Sequence, residues 1–203
     1  MPGSLKTTKS EIRKSIITQR EKISSGARDK HNFAITERLL ELPAYRQSAV
    51  VLGYMNIGAE FASEMWVARA LADGKRLVLP RVNHHTNLLD LYWVEDVEDQ
   101  LAAGLWGIRE PIVESCKRLD NLNEVEFALL PGVAFTRGGA RLGYGGGFYD
   151  KLLARLDYLD GMPRPVLASA AFALQVVEHI PQEETDIKVG WIITELESIA
   201  CSK

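Results

Sequence analysis

The sequence predicts a three-layer α/β fold: a mostly parallel sheet of about six strands with helices on both faces, formed by a single domain over residues 1–203. A continuous apolar run at 49–55 is typical of a strand covered on both faces. A second such run begins at Arg76 after a helical pattern, and this spacing of about 30 residues is that of a right-handed β-α-β unit. A glycine-rich segment at 141–147 then joins an apolar run to an amphipathic one.

The individual elements follow from hydrophobic periodicity and from residues that break it. Ile12, Ile16 and Ile23 recur at helical spacing and predict the first helix. Pro43 ends the second helix, and Gly74 follows the third as its C′ residue. We predict helices over residues 6–24, 27–42, 63–73, 96–102 and 148–159, and strands over residues 48–56, 76–80, 88–94, 126–130, 165–171 and 189–194, the last of these ending the sheet.

A strip of basic side chains borders the apolar stripe of the first helix. Lys9, Arg13 and Arg20 share this strip at about 100° per residue. Side chains that snorkel along the surface of the helix would explain this strip without a function, and a functional role stays open.

Composition restricts the class of protein. The 24 basic residues balance 27 acidic ones, so nothing indicates a nucleic-acid partner. No apolar run approaches the roughly 18–20 residues of a membrane span. Two distant cysteines, Cys116 and Cys201, fit a reducing compartment, and the first residues lack the apolar segment of a secretory signal. We therefore expect a cytoplasmic protein without a nucleic-acid or membrane partner. We also expect a monomer, a point that composition does not decide.

The glycine-rich loop before the 148–159 helix is the strongest local signal. Gly143, Gly145, Gly146 and Gly147 would present backbone N–H groups to an anion at a helix N-terminus. The loop is neither of the two standard phosphate-binding fingerprints, because the sixth place counted from Gly143 is Phe148 and no Gly-Lys-Ser/Thr follows. A turn that only connects strand to helix remains the alternative.

Three acidic residues are expected at the same edge of the sheet. Asp150 lies in the first turn of the helix after the loop, Asp186 shortly precedes the last predicted strand, and Glu60 follows the first strand. Loops at one edge of a doubly wound sheet meet in one crevice. Asp150 and Asp186 could share one Mg²⁺, which commonly takes one or two carboxylates plus phosphates. Taken alone, Asp150 and Glu60 are also explained by a favourable position near a helix N-terminus.

Several segments together resemble the 5-formyltetrahydrofolate cyclo-ligase family, also called methenyltetrahydrofolate synthetases. The most specific is Arg-Leu-Gly-Tyr-Gly-Gly-Gly-Phe-Tyr-Asp at 141–150. The other segments, which cover almost the whole chain in order, are Lys-Ser-Glu-Ile-Arg at 9–13, Glu60, Leu-Pro-Arg-Val at 79–82, Trp-Gly-Ile-Arg-Glu-Pro at 106–111 and Leu-Pro-Gly-Val-Ala-Phe at 130–135.

The resemblance implies an enzyme that uses ATP and Mg²⁺ to convert 5-formyltetrahydrofolate to 5,10-methenyltetrahydrofolate, ADP and phosphate. Arg141 and Tyr149 would be catalytic, and Asp150 and Asp186 would bind the metal. The implied nucleotide-binding residues are Lys9, Arg13, Arg141, Leu142, Gly143, Tyr144, Gly145, Gly146, Gly147, Phe148 and Tyr149. The implied folate-binding residues are Arg13, Met55, Glu60, Trp106, Tyr144, Gly145, Gly146, Gly147 and Phe148.

Two positions depart from the family pattern. Gly146 stands where some relatives have Lys, and Gly190 where many have an acid. Two other functions therefore stay open beside the cyclo-ligase. One is a divergent paralogue that binds folate or nucleotide without turnover. The other is a sugar-phosphate isomerase-like protein that uses the glycine loop only to bind an anion.

Overall fold

A seven-stranded sheet organises the chain in the computed structural model, which describes residues 2–104, 107–157, 164–183 and 186–201. The helices are α1 (Pro2–Glu21), α2 (Ser25–Glu41), α3 (Pro43–Gln47), α4 (Ser63–Ala72) and α5 (Phe148–Asp157). The strands are β1 (Val50–Leu52), β2 (Arg76–Asn83), β3 (Leu88–Val94), β4 (Leu101–Ala103), β5 (Arg109–Pro111), β6 (Phe127–Leu129), β7 (Ala134–Phe135), β8 (Arg141–Leu142), β9 (Val166–Ala170), β10 (Trp191–Ile193) and β11 (Ser198–Ala200).

The strand order is β11-β10-β9-β6-β1-β2-β3. The neighbours from β10 to β2 pair in parallel, whereas β3 and β11 pair antiparallel at the two edges. Two small hairpins, β4–β5 and β7–β8, lie outside this sheet. The prediction of a mostly parallel sheet is confirmed, with one strand more than expected.

Strand β1 shows why helices cover both faces. Its three residues are all buried, and successive side chains point to opposite faces. Val51 packs with α2 and α4 in one apolar cluster, whereas Val50 and Leu52 pack with α5 in another. The strand within the continuous apolar run is therefore covered on both faces, as predicted, and the three-layer arrangement is confirmed.

Helix α1 packs beside the main sheet, against the β7–β8 hairpin. Ile16 is buried in a third cluster with Val133, Ala134 and Leu142. This contact brings the basic strip of α1 toward the segment that follows β8. Within the described residues, no helix combines the length and the apolar character needed to cross a bilayer.

One predicted element and one prediction of strand order are wrong. Residues 96–102 do not form a helix, because the Asp96 side chain accepts hydrogen bonds from the Glu98 and Asp99 amides and turns the chain into β4. The strand at 191–193 is not the last, since β11 returns antiparallel beside it. For the predicted helix at 148–159, the last two residues lie outside the described residues.

Candidate functional site

A cavity of about 870 Å³ lies where the chain leaves β1 and β6 and where α1 meets the segment after β8. Its walls come from the glycine loop on one side, the ends of β2, β3 and β5 on another, and α1 on a third. The cavity is lined by Lys9, Arg13, Tyr54, Met55, Ile57, Glu60, Pro80, Val82, Leu89, Ile108, Arg109, Glu110, Pro131, Arg141, Leu142, Gly143, Tyr144, Gly145, Gly146, Gly147, Phe148, Tyr149, Asp150, Glu183 and Asp186. Every candidate site residue named from the sequence is among them except Trp106, which lies outside the described residues.

The glycine loop connects β8 directly to the N-terminus of α5. Gly145 has φ +103° and Gly147 has φ +69°, conformations that side chains rarely adopt. The Lys151 amide donates to the Gly147 carbonyl at 3.1 Å and begins the hydrogen bonding of α5. The loop therefore has the strand–loop–helix form expected of an anion site.

Two arginines lie beside this loop, and one of them bonds to its backbone. Arg13 Nε donates to the Gly143 carbonyl oxygen at 2.7 Å. Arg141 is buried; its Nη1 donates to the Pro131 carbonyl at 3.1 Å, and its Nη2 forms an ion pair with Asp150. The charges of both arginines therefore lie at the glycine-loop end of the cavity, where an anion would be bound.

Lys9 is held by two acids from the segment before β10. Its Nζ lies 3.1 Å from Asp186 Oδ2 and 3.2 Å from Glu183 Oε1. Burial acts to lower the pKa of Lys9, but the hydrogen bonds and charges of Asp186 and Glu183 together raise it, so Lys9 carries its charge into the cavity. Glu183 was missed from the sequence. Only its place three residues before Asp186 could have suggested it.

A buried carboxylate marks a different part of the cavity. Glu60 is 5% exposed, and its Oε2 accepts the Ile57 amide at 2.8 Å. Burial raises the pKa of Glu60, while the Tyr144 hydroxyl, the Ile57 amide and the Arg20 guanidinium each act to lower it. Its Oε1 is buried without a hydrogen-bond partner among the described residues. Such an oxygen can accept an N–H from a ligand, and leaving it unsatisfied costs free energy.

Asp150 and Asp186, the two predicted metal ligands, both line the cavity, and each is paired with a cation. Within the described part of the chain, no three His, Cys, Asp or Glu side chains gather as a metal site. Two carboxylates nevertheless suit Mg²⁺, which completes its shell with phosphate oxygens and water. The residues present therefore fit a magnesium ion that arrives with a phosphate-bearing ligand.

Other lining residues were not named as site residues from the sequence. Tyr54 is buried beside Met55, and its carbonyl accepts the Ser63 hydroxyl at 2.6 Å. Glu110 is buried in β5, and its Oε1 accepts the Val82 amide at 3.2 Å. Glu110 thereby fastens the small hairpin over the end of β2. Tyr54 belongs to the strand predicted at 48–56 and Glu110 to the family-like segment at 106–111, but neither was assigned a role in the site from the sequence.

Burial also acts on two tyrosines of the cavity, Tyr144 in the loop and Tyr149 in the first turn of α5. It raises the pKa of Tyr144 and of Tyr149, and the charge of Glu60 adds to the effect in both. Both hydroxyls therefore remain protonated and can donate hydrogen bonds. Tyr149, which was expected to be catalytic, is thus suited to donate a hydrogen bond rather than to accept a proton as a base.

Comparisons with known proteins agree with this geometry. The model of the 5-formyltetrahydrofolate cyclo-ligase family matches residues 5–195. A probable 5-formyltetrahydrofolate cyclo-ligase from Caenorhabditis elegans is 28% identical over 202 residues, 97% of each chain. The NMR structure of Aquifex aeolicus 5,10-methenyltetrahydrofolate synthetase superposes with a TM-score of 0.81 at 32% identity, covering 96% of this chain and 93% of that one.

A 5,10-methenyltetrahydrofolate synthetase from Mycoplasma pneumoniae shares the fold, with a TM-score of 0.69 at 20% identity over 92% of this chain and 98% of that one. The family match spans nearly the whole chain and includes the glycine loop, the basic strip of α1 and Glu60. The relatives are named as enzymes. The chain therefore belongs to the 5-formyltetrahydrofolate cyclo-ligase family.

Proposed function

We propose that this protein uses ATP to convert 5-formyltetrahydrofolate to 5,10-methenyltetrahydrofolate, with release of ADP and phosphate. The observation that carries the proposal is a single cavity lined both by the cations and backbone of the glycine loop and by the buried Glu60 carboxylate. In the proposal, the cations and the loop form the nucleotide end, and Glu60 forms the folate end. A reaction between a nucleotide and a folate needs both ends within reach of one another.

The nucleotide would bind at the glycine-loop end. Lys9, Arg13 and Arg141 supply positive charge there, and the N-terminus of α5 faces the same space. Arg141 is buried and hydrogen-bonded to the Pro131 carbonyl, so its guanidinium is already oriented. Such preorganised donors stabilise charge that develops during phosphoryl transfer without the cost of moving into place.

The folate would bind at the Glu60 end. A pterin ring presents adjacent N–H donors, and the unsatisfied Glu60 Oε1 with its neighbour Oε2 can accept two of them. Met55 and Tyr54 add apolar surface for the ring. The family resemblance implies that Trp106 stacks on the pterin, and that assignment stays a prediction.

The chemistry proposed is activation followed by cyclisation. The formyl oxygen takes the γ-phosphoryl group of ATP: its bond to phosphorus forms as the bond to the ADP oxygen breaks. The lone pair of N10 then attacks the formyl carbon, phosphate leaves with the formyl oxygen, and N10 loses its proton. The residues of this chain bring the two substrates together and stabilise charge, so no protein nucleophile is needed.

Asp150 and Asp186 would hold Mg²⁺, which when bound neutralises charge on the transferred phosphoryl group. Arg141 pairs with Asp150 and Lys9 pairs with Asp186, so each proposed metal ligand lies beside a cation that can contact phosphate oxygens. We further propose that residues 1–203 form one catalytic domain and that the protein acts as a cytoplasmic monomer.

A direct assay tests the proposal. The protein is incubated with 5-formyltetrahydrofolate, ATP and Mg²⁺ while the absorbance of the methenyl product is followed. We expect turnover that depends on both ATP and Mg²⁺. Binding of folate or nucleotide without product would indicate the non-catalytic paralogue. Isomerisation of a sugar phosphate without ATP would indicate the isomerase-like alternative.

A matched pair of variants tests the assignment of the nucleotide end. Arg13 and Arg46 each donate from Nε to a backbone carbonyl, at 2.7 Å and 3.0 Å, but only Arg13 lines the cavity. We expect Arg13→Met to raise the KM for ATP about tenfold, the cost of one charged hydrogen bond. Arg46→Met should leave this constant unchanged, and equal effects would contradict the assignment.

A further inference from the structure

Arg20 is a buried cation that lies behind the cavity wall. It occupies the last turn of α1 and is 3% exposed. Its Nη2 donates to the Tyr144 hydroxyl oxygen at 2.8 Å. Its Nε and Nη1 are buried and find no acceptor within the described part of the chain. A guanidinium buried with two unsatisfied donors is destabilising, so a purely structural arginine at this place would be a poor solution.

The partner of Arg20 is a side chain of the cavity. Tyr144 belongs to the glycine loop, lines the cavity and is 45% exposed, and its ring centroid lies 5.9 Å from the Arg20 guanidinium carbon. An exposed loop tyrosine would otherwise rotate among several conformations. Arg13 holds the Gly143 carbonyl two helical turns earlier on the same face of α1. The two arginines thus fasten neighbouring loop residues, one through the backbone and one through a side chain.

Glu60 completes the group. The charged and titratable side chains that act with Glu60 are Arg20 from α1, Tyr144 from the loop, Tyr54 after β1 and Tyr149 from α5. Arg20 supplies the positive charge among them, and it lowers the pKa of Glu60 against the effect of burial. Glu60 therefore has one unsatisfied oxygen and Arg20 has two unsatisfied donors, and Tyr144 interacts with both side chains.

We propose that Arg20 is a positioning residue for the folate end of the cavity: it holds Tyr144 in place and keeps Glu60 ready to accept the substrate, without touching the substrate itself. The identity of that substrate rests on the proposed function. The proposal gives a reason for burying Arg20, a cation that does not itself line the cavity. It also separates the two arginines, since Arg13 serves the nucleotide end and Arg20 the folate end.

Steady-state kinetics of Arg20→Met and Tyr144→Phe test the proposal. We expect each variant to raise the KM for 5-formyltetrahydrofolate about tenfold, the effect of losing one charged hydrogen bond. For Arg20→Met, the KM for ATP and kcat should change less than about threefold. The control is Arg28→Met, which removes hydrogen bonds to the Arg20 and Ile23 carbonyls at the end of α1 and leaves Tyr144 untouched.

The pH dependence of folate affinity separates positioning from support of the fold. Without the cation, the pKa of Glu60 rises further, so Arg20→Met should lose affinity on the acid side at a higher pH than the wild type. Arg20→Lys keeps the charge, so it should lose folate affinity at the same pH as the wild type. The proposal would be overturned if Arg20→Met raised the KM values for folate and for ATP equally and left the pH at which folate affinity is lost unchanged. Arg20 would then only tether α1. Tyr144→Phe changes a half-exposed side chain and remains informative where Arg20→Met does not fold.

Failure of the proposed function is distinguishable from failure of this inference. If the wild type neither binds nor converts 5-formyltetrahydrofolate, the substrate assignment is wrong whatever the variants do. The Glu60 carboxyl can then be titrated by ¹³C NMR in the wild type and in Arg20→Met, with Glu60→Gln identifying its signal. A higher pKa in Arg20→Met supports the link from Arg20 to Glu60, and an unchanged pKa overturns it.

Discussion

Alanine substitutions at successive glycines of the loop should affect nucleotide affinity unequally. Gly145 has φ +103°, and a Cβ there would lie 3.5 Å from the Arg13 guanidinium carbon, which is ordinary contact. The cost of Gly145→Ala is therefore backbone strain rather than collision. Such strain costs about 1–2 kcal/mol for an L-residue.

The neighbouring Gly146 provides the matched comparison. Its φ lies outside the left-handed region, and a Cβ would meet only the edge of the Phe148 ring, at 3.0 and 3.1 Å. A few tenths of an ångström of ring movement relieve this contact, so Gly146→Ala should cost no more than about 0.5 kcal/mol. The same reasoning predicts that Gly146→Lys is tolerated and that it adds a cation at the nucleotide end.

The strain at Gly145→Ala must appear in one of two measurements. If the free loop relaxes, binding must restore its conformation, and the Kd for ATP rises about 5- to 30-fold. If the loop stays strained, the unfolding temperature falls instead. Isothermal titration with ATP and thermal unfolding of both variants measure the two contributions. A Gly145→Ala protein that matches the wild type in both measurements, or matches Gly146→Ala in its losses, would refute the reasoning.

Three further predictions follow from individual contacts. Asp150→Asn should lower kcat at least about tenfold, which corresponds to about 1.4 kcal/mol of activation free energy. Urea unfolding of the same variant should show a loss of about 1–2 kcal/mol of stability, because Arg141 loses its carboxylate partner. Gly139→Ala combines φ +85° with a Cβ placed 2.4 Å from the Val189 carbonyl oxygen, and it should destabilise the fold by about 2–4 kcal/mol in the same assay. Burial raises the pKa of Glu60 above 4.5, so the stability linked to this shift is complete below pH 4.5 and is lost as pH rises through the folded-state pKa. Because Gln does not titrate, the unfolding temperature of Glu60→Gln should rise relative to that of the wild type between pH 4.5 and pH 7.5. A constant difference between the two unfolding temperatures over this range would contradict the shift.

The Asp150 prediction differs from what the sequence alone suggests. An exposed acid in the first turn of a helix contributes only about 0.3–1 kcal/mol, so its removal would leave the fold unaffected. The structure pairs Asp150 with the buried guanidinium of Arg141. Loss of the acid therefore affects stability as well as chemistry, and the two effects need separate measurements.

Much of the fold could be predicted because its signals are local. The covered strand at β1, the helix from Phe148 and the glycine loop between β8 and α5 each appear as a short pattern of apolar and special residues. The helix predicted at 96–102 failed because the hydrogen bonds of Asp96 and the pairing of β4 with β5 outweighed a weak helical pattern. β11 was missed because a three-residue edge strand has too few residues to show periodicity.

The candidate site divides in the same way. The sequence by itself determined which residue types are available: the glycine loop, the basic strip of α1 and the isolated acids Glu60, Asp150 and Asp186. The tertiary structure alone decided which of them meet. Arg20 reaches Tyr144 across 124 positions of sequence, and Lys9 reaches Glu183 across 174. A short sequence pattern cannot report such contacts, because they depend on how α1 packs against the β7–β8 hairpin and on the directions in which buried side chains then point.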